Sequence, residues 1–226
     1  LPVIQRELLK ALAVAGKKVI LVNCSGSPVG LVPETASCQA ILQAWYPGQA
    51  GGKAVADVLF GEYNPSGKLP VTFYKNVNQL PDFEDYNMTG RTYRYFEGEP
   101  LYAFGHGLSY TTYTYGEVQA PATAKTDETI VVSVPVTNSG NMDGDEIVQL
   151  YLKKKGDEEG PIKTLRAFKR VHIPAGQTVN VELELTPSQL EWWNPATNSM
   201  NTHAGNYEVM VGGNSKDVKS VEIALQ

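Results

Sequence analysis

From about Glu117 to the end of the chain, apolar residues recur at alternate positions. They do so at Ile130, Val132, Val134 and Val136, at Val148, Leu150 and Leu152, and at Val179, Val181, Leu183 and Leu185. The pattern continues at Tyr207, Val209 and Val211 and at Val221, Ile223 and Leu225. Successive side chains of an extended strand point to opposite faces, so a period of two places each set on one buried face. Turn formers separate the sets: Asn138-Ser139-Gly140, Gly156-Asp157, Pro174-Ala175-Gly176 and Gly212-Gly213-Asn214. About seven short strands at this spacing predict a β-sandwich over residues 117–226.

The first part of the chain follows a different rule. Ile4, Leu8 and Leu12, with Leu9 beside them, mark one apolar face of a helix that Gly16 ends. Val19, Ile20, Leu21 and Val22 form a short continuous apolar run, which suits a strand covered on both faces. A loop with Ser25, Gly26, Pro28 and Gly30 leads to a second run over residues 40–45. Pro47, Gly48, Gly51 and Gly52 precede a helix through Ala54, Val55, Val58 and Leu59, and residues 69–73 read as strand-like. The predicted fold class is therefore α/β followed by all-β, with the α/β part over residues 1–75. Two clear helices and three or four strands cannot cover both faces of a sheet. This part is expected to be the second half of an α/β sandwich domain whose other half lies upstream. Residues 76–116 form a long connecting region rich in Tyr, Gly and acidic residues, and long loops of this kind are usually functional or packed on another domain.

A net charge of −5 argues against nucleic acid or an anionic membrane surface as the main partner. No apolar run approaches the roughly 20 residues of a membrane span. The chain opens with Leu1-Pro2-Val3-Ile4 and not with Met, so it is expected to be a mature or excised piece. Two cysteines, Cys24 and Cys38, make neither a disulfide framework nor a zinc spacing, and both are expected to be buried free thiols.

Few motifs carry chemistry. Residues 48–54, GQAGGKA, lack the spacing and the Ser or Thr of a phosphate loop, and read as a packing turn before a helix. Ser25 and Ser66 sit in no nucleophile elbow. His106, His172 and His203 are scattered, and His106, between Gly105 and Gly107, is expected to be structural. Neither a metal site nor a cofactor is expected. Asp82, Glu84 and Asp85, followed by Tyr86, Arg91, Tyr93, Arg94 and Tyr95, bring carboxylates beside aromatic rings, as sugar sites do. The competing reading of this loop is an ion-paired segment packed on a neighbouring domain. A free-standing carbohydrate-binding module is the rival for the whole chain. Against it, Trp192 and Trp193 are adjacent and would face opposite sides of a strand.

Several stretches together resemble the C-terminal portion of glycoside hydrolase family 3. They are AILQAWYPGQAGGKAVADVLFGEYNPSGKLPVTF (residues 40–73), GRTYRYF (90–96) and PLYAFGHGLSYTTY (100–113). GDEIVQLYL (144–152), residues 161–171 with Leu165 and Phe168, and GNYEVMVGG (205–213) resemble that family's fibronectin type III-like domain. The resemblance implies a retaining, exo-acting β-glycosidase of β-linked oligosaccharides. Its aspartate nucleophile lies on an N-terminal barrel and its glutamate acid/base upstream of a segment like Leu1-Pro2. No catalytic residue is therefore assigned within this chain, which is expected to be inactive alone. The GRTYRYF wording is closer to the β-xylosidase branch than to the β-glucosidase branch. Asp82, Glu84, Arg91 and Tyr93 are the candidate substrate-binding residues, at the rim of a pocket. A periplasmic or extracellular location is the expectation.

Overall fold

The computed structural model describes residues 1–226. The α/β part runs α1 (Val3–Val14), β1 (Ile20–Asn23), α2 (Val32–Ser37), β2 (Ala40–Gln43) and α3 (Gly51–Leu59). β1 and β2 pair in parallel, Ile20 opposite Ala40 and Asn23 opposite Gln43. A parallel pair needs a crossover, and α2 supplies it from a stretch that reads as loop. Pro33, in the first turn of α2, has no N–H to lose there. Arg6 fastens α1 to α2: its Nε donates to the buried Glu34 carboxylate at 2.9 Å and a terminal nitrogen to the Gly30 carbonyl at 2.7 Å. The predicted apolar stripe of α1 packs only in part within this chain. Ile4 and Leu8 are 72% and 59% exposed, while Arg6, Leu9, Leu12 and Ala13 are half-buried. The ion pair with Glu34 sets the rotation of the helix.

Residues 69–73 do not form a regular strand. They touch residues 101–106 at two points, Phe73 bridging Tyr102 and Leu69 exchanging hydrogen bonds with Gly105 and His106. A short helix, α4 (Thr92–Tyr95), follows.

The sandwich contains β3 (Tyr113–Tyr115), β4 (Thr123–Ala124), β5 (Ile130–Asn138), β6 (Gly144–Lys154), β7 (Thr164–Ile173) and β8 (Thr178–Leu185). It continues through β9 (Trp192–Asn194), β10 (Ser199–Asn201), β11 (Gly205–Gly212) and β12 (Val218–Leu225). One sheet has the order β4-β12-β11-β6-β7, the other β3-β5-β8, and β9 and β10 make a small hairpin. Nine strands follow residue 117 instead of about seven, because β4, β9 and β10 are too short to show a period. Pairing also begins earlier, at Tyr113 opposite Asn138; alternating Tyr and Thr do not announce a strand by hydrophobicity. Eighteen buried residues make the core, and they include Val132, Val134, Val148, Leu150, Val209 and Val211 at full burial. Trp192 is buried in this core while Trp193 is 57% exposed. Cys24 is exposed and Cys38 half-buried; both are free. They are not buried thiols, because each sits at the open end of a short element and not inside the sheet.

Candidate functional site

The connecting region is organised from its own side chains. Asn76 caps a single 3-10 turn at Val77–Gln79 by accepting from the Asn78 amide. Asp82 accepts from the Glu84 amide at 2.9 Å and Asp85 from the Asn87 amide at 2.9 Å, two local turns of the kind Asp favours. The Asn87 amide and side chain together hold the Asp85 carboxyl below its ordinary value. Arg91 gathers the loop from within, donating to the carbonyls of Asp82 (2.9 Å), Asp85 (2.6 Å) and Asn87 (3.2 Å). Its guanidinium thus serves the backbone. What the loop presents outward is the exposed Asp82 and Glu84 together with Phe83 and Tyr86, 94% and 92% exposed.

At Thr92 the chain turns sharply. Its φ of 57° is a left-handed conformation that a β-branched residue rarely adopts. The Thr92 amide donates to the Tyr74 hydroxyl at 2.7 Å, and the Thr92 hydroxyl accepts from the Arg94 amide at 3.2 Å. The turn sends the next two residues to the sandwich. The Tyr93 hydroxyl accepts from the Leu165 amide at 3.0 Å, and its ring stacks on Phe104 at 4.2 Å and meets Tyr151 edge-on at 5.8 Å. The Arg94 carbonyl accepts from the Ile162 amide at 2.7 Å. Of the four candidate binding residues, Asp82, Glu84 and Arg91 therefore share one loop. Tyr93 stands apart from them, built into the junction with β7. The loop is held by Arg91 and by the junction, with no side-chain ion pair of its own.

The junction holds polar residues that the sequence reading left out. Lys68 meets Glu146 at 3.2 Å, with side chains only 15% and 5% exposed, and the Tyr115 hydroxyl donates to the same carboxylate at 2.9 Å. Gln149 donates to the Gly213 carbonyl and accepts from the Tyr151 hydroxyl at 2.6 Å. Asn64 accepts from Ser109 and the Tyr110 amide and donates to the Asp143 carbonyl at 2.9 Å. The signal was present: Glu146 stands in phase with Val148, Leu150 and Leu152, where a charge needs a buried partner. His106 stacks on Tyr102 at 5.0 Å and lines a cavity of about 320 Å³ with Glu99, Asn214, Lys216 and Asp217. Burial, helped by the Lys68 ammonium, pushes its pKa below the ordinary imidazole value, and Asp217 opposes this. Gly51, buried at the start of α3, faces Pro47 so closely that a Cβ would lie 2.5 Å from the proline ring. The glycines of residues 48–54 thus serve packing. No three His, Cys, Asp or Glu side chains stand together as a metal site would require.

Residues 1–110 match the glycosyl hydrolase family 3 C-terminal domain, and residues 146–215 match the fibronectin type III-like domain. The chain belongs to glycoside hydrolase family 3. It is 57% identical over 228 residues to the xylan 1,4-beta-xylosidase of Xylanibacter ruminicola, covering 100% of this chain and 26% of that protein. It is 38% identical over 239 residues to the periplasmic beta-glucosidase of Salmonella typhimurium, covering 100% of this chain and 31% of that protein. Among solved structures, the beta-glucosidase DesR from Streptomyces venezuelae, in complex with D-glucose, superimposes with a TM-score of 0.90 at 32% identity. That match covers 100% of this chain and 31% of DesR. The chain spans about a quarter to a third of the length of these family 3 relatives. The resemblance in its motifs and its α/β-then-sandwich architecture agree with that membership. No helix of this family 3 chain is long and apolar enough to cross a membrane.

Proposed function

We propose that this chain is the C-terminal part of an exo-acting, retaining β-glycosidase that releases terminal non-reducing β-D-xylose or β-D-glucose from oligosaccharides. In such an enzyme one carboxylate attacks the anomeric carbon, and a second protonates the leaving oxygen and then activates water. Both carboxylates belong to the preceding barrel and half-domain, and the chain alone does not hydrolyse glycosides. The observation that carries the reading is the 57% identity along the whole chain to a xylan 1,4-beta-xylosidase, against 38% to a beta-glucosidase. That difference favours xylose over glucose. The exposed apolar Val3, Ile4, Leu8 and Phe60 on the α/β part support a surface completed by more protein. Asp82 and Glu84, exposed beside Phe83 and Tyr86, line the rim of the complete pocket, where acids bind hydroxyls and rings stack on a pyranose. A periplasmic or extracellular location belongs to the same reading.

The test assays aryl β-xyloside and β-glucoside on this chain and on the longer protein that carries it. The reading expects turnover by the longer protein, faster on the xyloside, and none by the chain. Turnover by the chain alone, or none by the longer protein, overturns it. Cell fractionation tests the location.

A further inference from the structure

The cavity beside His106 is walled by both parts of the chain. One wall is the strip around residues 99–106, and the other is the turn between β11 and β12. Both walls are fixed by the protein itself. The His106 carbonyl accepts from the Leu69 amide at 2.8 Å, and Tyr102 bridges Phe73. A Cβ on Gly107 would lie 2.1 Å from the Gly67 carbonyl oxygen, so the strip is pressed onto that backbone. The turn is tied to the strip: the Ser215 amide donates to the Phe104 carbonyl at 2.9 Å, and the Lys216 ammonium pairs with the Glu99 carboxylate. Asn214 braces the turn from within, its side-chain oxygen accepting from the Lys216 and Asp217 amides at 2.8 and 2.9 Å. The space between the walls, about 320 Å³, is therefore preformed. It stands at the low end of small-molecule sites, which run from roughly 300 to 1,000 Å³.

The lining leaves polar groups without protein partners. The Tyr102 hydroxyl and the His106 ring nitrogens make no hydrogen bond within the protein. Asp217 accepts from the Asn214 side chain at 3.0 Å through one carboxylate oxygen, and no cation pairs with it. The Tyr102 and His106 rings are stacked, with centroids 5.0 Å apart and planes 16° from parallel. An aromatic wall beside a hydroxyl, an imidazole and a carboxylate suits a sugar. The apolar face of a pyranose lies on rings, and its hydroxyls donate to a carboxylate and accept from other donors. Lys216 offsets Glu99, so Asp217 leaves the cavity net negative. That charge disfavours an anionic ligand.

We propose that this cavity binds one neutral monosaccharide, with its ring against the Tyr102–His106 pair and its hydroxyls on Tyr102, His106 and Asp217. The site is built wholly from this chain and stands whether or not the longer protein is a glycosidase. A sugar held there touches strip and turn together, so it fastens the α/β part to the sandwich.

The experiment follows the His106 imidazole signals of this chain by ¹⁵N–¹H NMR at about pH 7.5, where the ring is neutral. The chain is titrated with D-xylose and with D-glucose. Ethylene glycol at matched hydroxyl concentration and tetramethylammonium chloride are the controls. At least one sugar should give a saturating shift, with a dissociation constant on the order of 1 mM and with His172 and His203 unmoved. Tyr102→Phe keeps the ring and removes the unpartnered hydroxyl, and should weaken that binding about tenfold. Asp217→Asn should weaken it too. No saturating shift with either sugar, an equal shift with ethylene glycol, or an affinity unchanged in Tyr102→Phe would overturn the proposal. Saturation by tetramethylammonium alone would also overturn it, by making the cavity a cation site. Should Tyr102→Phe lose the wild-type methyl spectrum, the titration of the unmodified chain together with Asp217→Asn decides.

Discussion

Lys68, from the α/β part, reaches into the end of the sandwich and meets Glu146 at 3.2 Å, beside the Tyr115 hydroxyl. Both charges are largely withdrawn from water, so neither can lose its partner cheaply. Lys68→Met leaves Glu146 buried with only a phenol to face, and is expected to destabilise the chain by about 3 kcal/mol. The double variant Lys68→Met/Glu146→Leu removes both charges and should recover most of that loss. Urea unfolding of the three proteins measures it, and a double variant as weak as the single would show that packing, not charge, is what Lys68 supplies.

Two glycines separate backbone strain from crowding. Gly105 and Gly61 have nearly the same left-handed φ, +81° and +82°. A Cβ on Gly105 would lie 2.2 Å from the Gln149 side chain, whereas one on Gly61 meets nothing within 4 Å. Gly61→Ala should cost only the conformational term, about 1 kcal/mol. Gly105→Ala carries the same term and also displaces Gln149 from its bonds to Gly213 and Tyr151, so its loss should be at least twice as large. Thermal midpoints of the two variants give the comparison.

Tyr93→Phe removes the acceptor of the Leu165 amide while keeping the ring that stacks on Phe104. An amide left unpaired at this junction costs about 1–2 kcal/mol. The cost should appear as faster hydrogen exchange at Leu165, at the start of β7, with the sandwich core unchanged. Unchanged exchange there would mean that the ring alone holds the junction.

His106 is held neutral by burial and by Lys68, so its folded pKa lies below the ordinary value of about 6.5. The unfolded chain then binds the proton first. The stability this site contributes is complete above about pH 6.5 and is lost as the pH falls through the folded pKa. Imidazole NMR should show His106 titrating below the ordinary range. His106→Gln should flatten the fall in urea midpoint between about pH 6.5 and pH 5. An ordinary His106 titration would contradict this account.

The sandwich core could be read directly from the chain, because residues such as Val132, Leu150 and Val209 obey a period of two that only a half-buried strand produces. The parallel pair β1 and β2 could be read for a related reason, since short apolar runs suit it. The rotation of α1 could not: it depends on Arg6 finding Glu34, a partner 28 residues away. The acidic loop showed its composition but not its wiring, for Arg91 spends its donors on carbonyls that have no sequence signature. Tyr93 looked like a companion of Asp82 and Glu84 because it is near them in the chain; the positive φ of Thr92 turns it away. The bulge in β7, where Leu150 pairs with Ala167 and Tyr151 with Leu165, is equally silent, since one extra residue in a strand leaves composition and period almost untouched.

Gln149 and Tyr151 point out of the sandwich core yet are 3% and 0% exposed, covered by residues of the α/β side. Anyone wishing to exchange this module between enzymes, or to express it as a free cassette, therefore faces a boundary that the period-two pattern alone does not mark. A cut at residue 117 would strip Phe104 and Gly105 from these two side chains and leave a wet amide and phenol on an adhesive surface. The transferable unit is the sandwich together with the strip around residues 101–116, and chimaeras that swap both should stay soluble where those that swap the sandwich alone do not.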